Sequence, residues 1–235
     1  MSNQAKTRYE QKGIAMTCRS FQEYLDMFEL KEEDFQGPVL DVAAGASSFT
    51  RTLNEKGYAA IAVDPLYQHS PEALKELGIK EIEESTRKLD EVSHLYHWEY
   101  YQSPENHSGN RKWTLPLFIE DFNRDSHRER YVAGSLPSLP FASETFSLIL
   151  CNHFLFLYEE QFNLDFHVAA IQELLRVCQK GGEVRIYPLV GFDGKRYVQL
   201  NDLQKRLEHQ GVDVSYENTD FRFLKEATQI LKLRK

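Results

Sequence analysis

The stretch VLDVAAGASSF, residues 39–49, constrains the fold of this chain more than any other feature. Its apolar start predicts a short buried strand, and the serines and helical pattern that follow end at Gly57, a typical helix C-terminus. Between the two elements lies a compact turn of small residues, Ala43, Ala44, Gly45 and Ala46. A strand, a tight turn and a helix in this order indicate an α/β unit whose turn lets a ligand approach the backbone closely.

Strand-like and helix-like segments alternate along most of the remaining chain. Amphipathic patterns predict helices at 164–182 and 200–211. Apolar runs predict further strands at 58–65, 131–135, 146–151, 183–189, 212–218 and 228–235. Such alternation predicts an α/β fold with a mostly parallel, seven-stranded sheet and helices on both faces. Because only a loop separates the last two strands, the final strand is expected to be antiparallel.

A single domain is expected to hold all 235 residues. Helical spacing of apolar residues at 14–35 predicts an N-terminal helical cover within residues 1–36. Residues 66–113, after the second strand, predict a helical insertion over the carboxyl edge of the sheet, in which 102–112 is a loop by composition. The aromatic segment 94–101, HLYHWEYY, either forms a substrate-facing lid or attaches the insertion to the domain.

Composition and charge narrow the function classes. The formal net charge of −8 argues against a surface that binds nucleic acid. Three cysteines, widely spaced and without a C-x-x-C pair, argue against a zinc site, so no metal is expected. The polar start shows no apolar signal segment, and no run is long enough to span a bilayer. We therefore expect a cytoplasmic protein, a monomer or homodimer, without a membrane partner.

Several stretches together resemble the class I S-adenosylmethionine-dependent methyltransferases. VLDVAAGASSF followed by AIAVDP resembles the first two motifs of that family. Residues 133–157 resemble its third region, and residues 173–189 resemble its helix, glycine turn and fifth strand. The resemblance implies a Rossmann-like sheet, S-adenosyl-L-methionine as cofactor and transfer of a methyl group. The family's D-x-G-x-G-x-G loop is altered, because its three glycine places hold Ala43, Gly45 and Ser47.

Both the residues and the resemblance indicate a cofactor site at the carboxyl ends of the strands. Asp41 places a negative charge where a cationic group of the ligand can bind, and Asp64 can accept two hydrogen bonds from a ribose diol. The resemblance assigns the loop at Gly134 to adenine, and Arg19 is expected on the cofactor carboxylate. The expected cofactor-binding residues are Arg19, Asp41, Ala43, Gly45, Ala46, Asp64, Pro65, Gly134, Ser135, Leu136 and Asn152.

Asn152 and His153 follow the fourth strand, where the family places its chemistry, and they are the candidate catalytic residues. His153 is either a general base, since histidine titrates near neutrality, or a packed, hydrogen-bonded histidine. The run Asn152-His153-Phe154-Leu155 lacks the prolines of the amino-group and adenine methyltransferases, which argues against a base-flipping enzyme.

The function expected from these features is methyl transfer from S-adenosylmethionine to a small-molecule acceptor. Three alternatives remain open: a nicotinamide-dependent oxidoreductase, a methyltransferase acting on RNA or protein, and a non-catalytic adenosylmethionine-binding protein. Of the G-x-G-x-x-G pattern that the oxidoreductase requires, this chain has Gly45 alone.

Overall fold

One seven-stranded sheet forms the centre of the molecule. The computed structural model describes residues 8–235, and its strands lie in the order β3-β2-β1-β4-β5-β7-β6. The strands are β1 Val39–Val42, β2 Ala60–Val63, β3 Tyr131–Val132, β4 Phe146–Asn152, β5 Cys178–Tyr187, β6 Asp213–Asn218 and β7 Gln229–Arg234. The neighbours among β1 to β5 pair in parallel, and β7 is antiparallel to both β5 and β6. The predicted sheet, with its antiparallel last strand, is confirmed.

Helices cover both faces of this sheet. Those of the described residues are α1 Phe21–Met27, α2 Phe49–Glu55, α3 Pro71–Glu91, α4 Pro104–Arg124, α5 Leu164–Val177 and α6 Leu200–Glu208. Strand β1 shows how the two faces differ: Leu40 and Val42 pack in the apolar cluster that contains α5 and α6, whereas Val39 packs in the cluster that contains α1 and α2. The strand order reverses between β1 and β4, which opens a crevice at their carboxyl ends.

The N-terminal cover is less helical than the sequence predicts. Residues 1–7 of the predicted cover lie outside the described part of the chain. Of the predicted helix at 14–35, only α1 and a 3₁₀ turn at Glu32–Phe35 are helical, and residues 14–19 form no regular secondary structure. Ser20 caps α1 in a capping box with Glu23, which fixes the start of the helix there. We call residues 14–19 the strap.

The inserted segment contains two helices, α3 and α4, that pack against each other. The prediction of a loop at 102–112 is wrong, because α4 begins at Pro104 and continues to Arg124. Ser103 caps this helix by accepting a hydrogen bond from the backbone N–H of Asn106 (3.2 Å), and proline is favoured at the first helical position. A polar composition therefore concealed a well-capped helix.

The aromatic segment 94–101 forms turns between α3 and α4. Tyr96 and Tyr101 are buried, and their rings pack on Phe223 at centroid distances of 4.6 and 5.0 Å. The segment thus attaches the insertion to the loop before β7, and the substrate-facing lid stays a prediction. Within residues 8–235, neither α3 nor α4 nor any shorter helix has a stretch that could traverse a bilayer.

Candidate active site

A first cavity of about 260 Å³ lies at the carboxyl ends of β1 and β2. Six of the predicted cofactor-binding residues line it: Ala43, Asp64, Pro65, Gly134, Ser135 and Leu136. Phe154, Phe162 and Phe166 supply aromatic walls, and Ile14 and Ala15 of the strap close one side. Residues from five separate parts of the sequence therefore meet around one cavity.

Asp64 is the acidic group of the first cavity. Its side chain is only 7 % exposed, and its two oxygens accept hydrogen bonds from the backbone N–H groups of Gly45 (3.0 Å) and Leu66 (2.9 Å). Burial raises the pKa of Asp64, and the two N–H groups oppose that rise. Each carboxylate oxygen keeps a further lone pair, so the group can still accept from a pair of ligand hydroxyls.

The strap lies directly on the turn of small residues after β1. The backbone N–H groups of Ala46 and Ser48 donate to the carbonyls of Thr17 (3.1 Å) and Arg19 (3.0 Å). Gly45 has φ +56°, and a Cβ placed there would lie 2.8 Å from the carbonyl oxygen of Thr17. Glycine is therefore required at this position both by the backbone conformation and by the close approach of the strap.

Asp41 faces α1 and does not line the first cavity. Its two oxygens accept from the hydroxyl of Tyr24 at 3.0 and 2.9 Å, and the carboxyl group is buried. Burial raises the pKa of Asp41 well above its ordinary value, which the Tyr24 hydrogen bond opposes and the nearby charge of Asp64 reinforces. The cofactor contacts predicted for Asp41, Gly45 and Ala46 stay predictions, because these residues contact α1 or the strap in this structure.

A second cavity of about 80 Å³ lies on the other side of the strap. It is lined by residues of the strap, α3, α4 and the segments that follow β4 and β5. Its polar lining includes Arg19, Glu81, Arg111 and His153, whereas Met16, Ile82 and Phe223 are among its apolar walls. Ala15 lines both cavities, so the strap is a shared wall.

His153 connects the catalytic prediction to this second cavity. It has φ +49°, and its backbone N–H donates to the carbonyl of Tyr187 (2.6 Å). Its Nδ1 contacts Oδ1 of Asn152. Since an amide oxygen only accepts, Nδ1 donates and Nε2 is the basic nitrogen of the ring. Burial, aided by Arg19 and Arg111, lowers the pKa of His153 well below its ordinary value, so the imidazole is neutral at physiological pH.

Arg19 also lines the second cavity, at the end of the strap. Its Nη1 donates to Glu23 (3.1 Å) and to the hydroxyl of Tyr101 (3.2 Å), whereas its Nε is buried without a partner among residues 8–235. Glu23 is in turn held by Ser20 and by Asn110 (2.8 Å). The Arg19–Glu23 pair therefore ties the strap and α1 to the insertion and leaves one guanidinium N–H for a ligand.

Sequence reasoning did not identify Thr17, His107 or Arg111 as site residues. His107 and Arg111 lie one turn apart on α4. The composition of residues 102–112 predicts a loop, so the sequence does not reveal that these two side chains share a helical face. Thr17 acts through its backbone carbonyl, for which the side chain gives no signal.

The buried pair His107 and Arg111 makes part of the stability pH-dependent. Arg111 donates from Nε to His107 Nε2 (3.0 Å), and burial, followed by the charges of Arg111 and Arg19, lowers the pKa of His107 well below its ordinary value. The unfolded chain therefore takes up this proton first as the pH falls. Between pH 6.5 and 5.5, the wild type should lose about 1 kcal/mol more unfolding free energy than His107→Gln.

Urea unfolding at several pH values measures this difference, with the other titrating groups common to both proteins. Parallel stability curves for the wild type and His107→Gln would contradict the assignment of a neutral, buried His107.

Comparison with known proteins places the chain in a class. A family model described as methyltransferase domain matches residues 116–186. Solved structures with some likeness include a SAM-dependent methyltransferase from Aquifex aeolicus (14 % identity, 91 % of this chain and 93 % of that chain, TM-score 0.45). Another is a TehB-like SAM-dependent methyltransferase from Corynebacterium glutamicum (14 % identity, 85 % of this chain and 80 % of that chain, TM-score 0.43).

The strand order, the crevice between β1 and β4 and the matched domain define the class I S-adenosylmethionine-dependent methyltransferases. The chain belongs to the same family as the protein MJ0045 of Methanocaldococcus jannaschii, to which it is 31 % identical over 225 residues, a match that covers 95 % of this chain and 97 % of that protein.

Proposed function

We propose that the protein transfers a methyl group from S-adenosylmethionine to a small-molecule acceptor. The observation that carries this proposal is the pair of cavities on either side of the strap. One has the buried carboxylate of Asp64, and the other has the neutral imidazole of His153. A donor site beside an acceptor site with a basic nitrogen suits methyl transfer to a bound acceptor that must lose a proton.

The residues of the first cavity fit the nucleoside part of the cofactor. Asp64 can accept from the ribose hydroxyls, and the backbone of Ser135 and Leu136 lies beside the aromatic walls that suit a flat base. For the amino-acid part of the cofactor, the free Nε of Arg19 can donate a hydrogen bond to the cofactor's carboxylate. When bound, S-adenosylmethionine supplies an electrophilic methyl group.

Asn152 and His153 would act on the acceptor. Asn152 holds the imidazole through Nδ1, which leaves Nε2 to take a proton from the acceptor. The strap and the insertion supply walls of the second cavity, which would limit the access of water during methyl transfer. The cavity's small volume favours a small acceptor over an RNA or protein chain, and the net charge of −8 also disfavours RNA.

Calorimetry and a labelled-methyl assay test the proposal. S-adenosylhomocysteine should bind and NAD should not. Label from methyl-tritiated S-adenosylmethionine should appear in the low-molecular-weight fraction of a metabolite mixture. No binding of S-adenosylhomocysteine would overturn the proposal, and label confined to RNA or protein would overturn the small-molecule acceptor. Binding without any transfer would favour the non-catalytic alternative.

Replacement of His153 should separate turnover from cofactor binding. We expect His153→Asn and His153→Ala to slow methyl transfer by about 10²-fold or more, the usual contribution of a general base. The asparagine variant tolerates the positive φ, so it controls for backbone strain. Affinity for S-adenosylhomocysteine should stay unchanged in both.

The exposed His209 offers a matched control, and His209→Ala should leave turnover unaltered. Turnover equal to wild type in His153→Asn would remove His153 from the catalytic residues.

A further inference from the structure

We propose that Arg111 binds a carboxylate group of the methyl acceptor in the second cavity, so that the acceptor is a small carboxylic acid. This inference rests on the proposed function and adds the chemical class of the substrate.

Arg111 carries a buried charge that the chain does not neutralise. Its side chain lies in the second cavity and is 9 % exposed, and its Nε and Nη2 contact only His107 Nε2, at 3.0 and 2.9 Å. No carboxylate of residues 8–235 lies within 4.0 Å of the guanidinium, and residues 1–7 contain no acidic side chain. Because a guanidinium stays protonated and a buried charge without a counter-ion is unfavourable, binding an anion there is favourable.

The other charged groups of the cavity do not cancel that of Arg111. Arg19 is a second buried cation, and its partner Glu23 is already held by four groups of the chain. Glu81 lines the cavity beyond ion-pairing distance from Arg111. Burial and the neighbouring Glu84 raise the pKa of Glu81, and the charges of Lys88, Lys80 and Arg111 oppose that rise. Two guanidinium groups therefore line the cavity, and among residues 8–235 only that of Arg19 has a carboxylate within 4.0 Å.

Size and lining indicate a carboxylate on a small apolar body. A guanidinium presents paired N–H donors that match the two oxygens of a carboxylate. The cavity of about 80 Å³ has room for only a few heavy atoms, and Met16, Ile82 and Phe223 supply apolar walls. His153 lies on the same cavity, so a carboxylate at Arg111 would orient the rest of the acceptor relative to the basic nitrogen.

Binding of simple acids to the protein saturated with S-adenosylhomocysteine tests the inference. By calorimetry, propionate should bind at least tenfold more tightly than propionamide, which has the same shape without the charge. Arg111→Gln should abolish this preference, and Arg111→Lys should retain part of it, because lysine keeps the charge but loses the paired donors. Arg124→Gln, an exposed position on the same helix, is the control and should match wild type.

The cofactor's own carboxylate is the other source of the same chemistry. If Arg111 bound that carboxylate, Arg111→Gln would lower the affinity for S-adenosylhomocysteine tenfold. The affinity for methylthioadenosine, which lacks the amino acid, would stay unchanged, and that result would overturn the inference. Equal affinity of acids and amides for the wild type also overturns it, even where a variant fails to fold. Binding of S-adenosylhomocysteine without any preference for acids would refute this inference alone, whereas no binding of S-adenosylhomocysteine would refute the proposed function.

Discussion

Gly45→Ala should lower the free energy of unfolding by about 3 kcal/mol, or roughly 6–12 °C in Tm. The left-handed conformation at φ +56° disfavours any residue with a Cβ, and that Cβ would lie 2.8 Å from the carbonyl oxygen of Thr17. Backbone atoms cannot turn aside as a side chain can, so the strap must move away from the turn. Thermal unfolding measures the loss, and proteolysis near residues 14–19 reports displacement of the strap.

Gly57 provides a matched control for this substitution. It also has a positive φ, +88°, but nothing lies within 4 Å of a Cβ built there. Gly57→Ala should therefore lose only the backbone contribution, about 1 kcal/mol. Equal losses in the two variants would show that the strap does not restrict the turn.

Asp64→Ala should weaken binding of S-adenosylhomocysteine by about a hundredfold. The expected contact is a pair of hydrogen bonds from the ribose hydroxyls to a buried carboxylate, and a hydrogen bond to a charged group contributes about 1.5 kcal/mol or more. The substitution also removes the acceptor for the N–H groups of Gly45 and Leu66, so some loss of stability should accompany it. Calorimetry on the folded variant measures the affinity.

Two further variants separate binding from folding. Asp64→Asn keeps one acceptor oxygen and should fold more stably than the alanine variant while still binding weakly. Asp125 is another buried aspartate that accepts three backbone N–H groups, at Glu129, Arg130 and Tyr131, but it lines neither cavity. Asp125→Asn should keep wild-type affinity. Wild-type affinity in Asp64→Ala would refute the ribose assignment.

The sheet and the first cavity were predictable because their signals are local. Apolar runs of strand length, each followed by a turn or a helix, encode the strands, and their carboxyl ends meet at one edge by topology. Asp64 follows β2 and Gly134 follows β3, and these two strands are neighbours in the sheet. The proximity of the two residues in the first cavity therefore follows from the strand order.

The strap and the second cavity were not predictable, because they depend on contacts between distant segments. Apolar residues at 14–35 have near-helical spacing, yet the carbonyls of Thr17 and Arg19 bond to the turn after β1 instead of to a helix. Arg111 lies in a polar segment that is helical because Ser103 caps the N-terminus of α4. Its burial results from the packing of α3 on α4. One sequence contains no signal that relates these segments.

The position of Ala15 between the two cavities has an energetic consequence. A ligand that shifts this residue by occupying one cavity changes the shape of the other, so the affinities for donor and acceptor are linked. Such linkage is reciprocal, and each ligand must alter the affinity of the other by the same factor. Titration of either ligand in the presence of its counterpart would thus give one coupling free energy, whichever is added first.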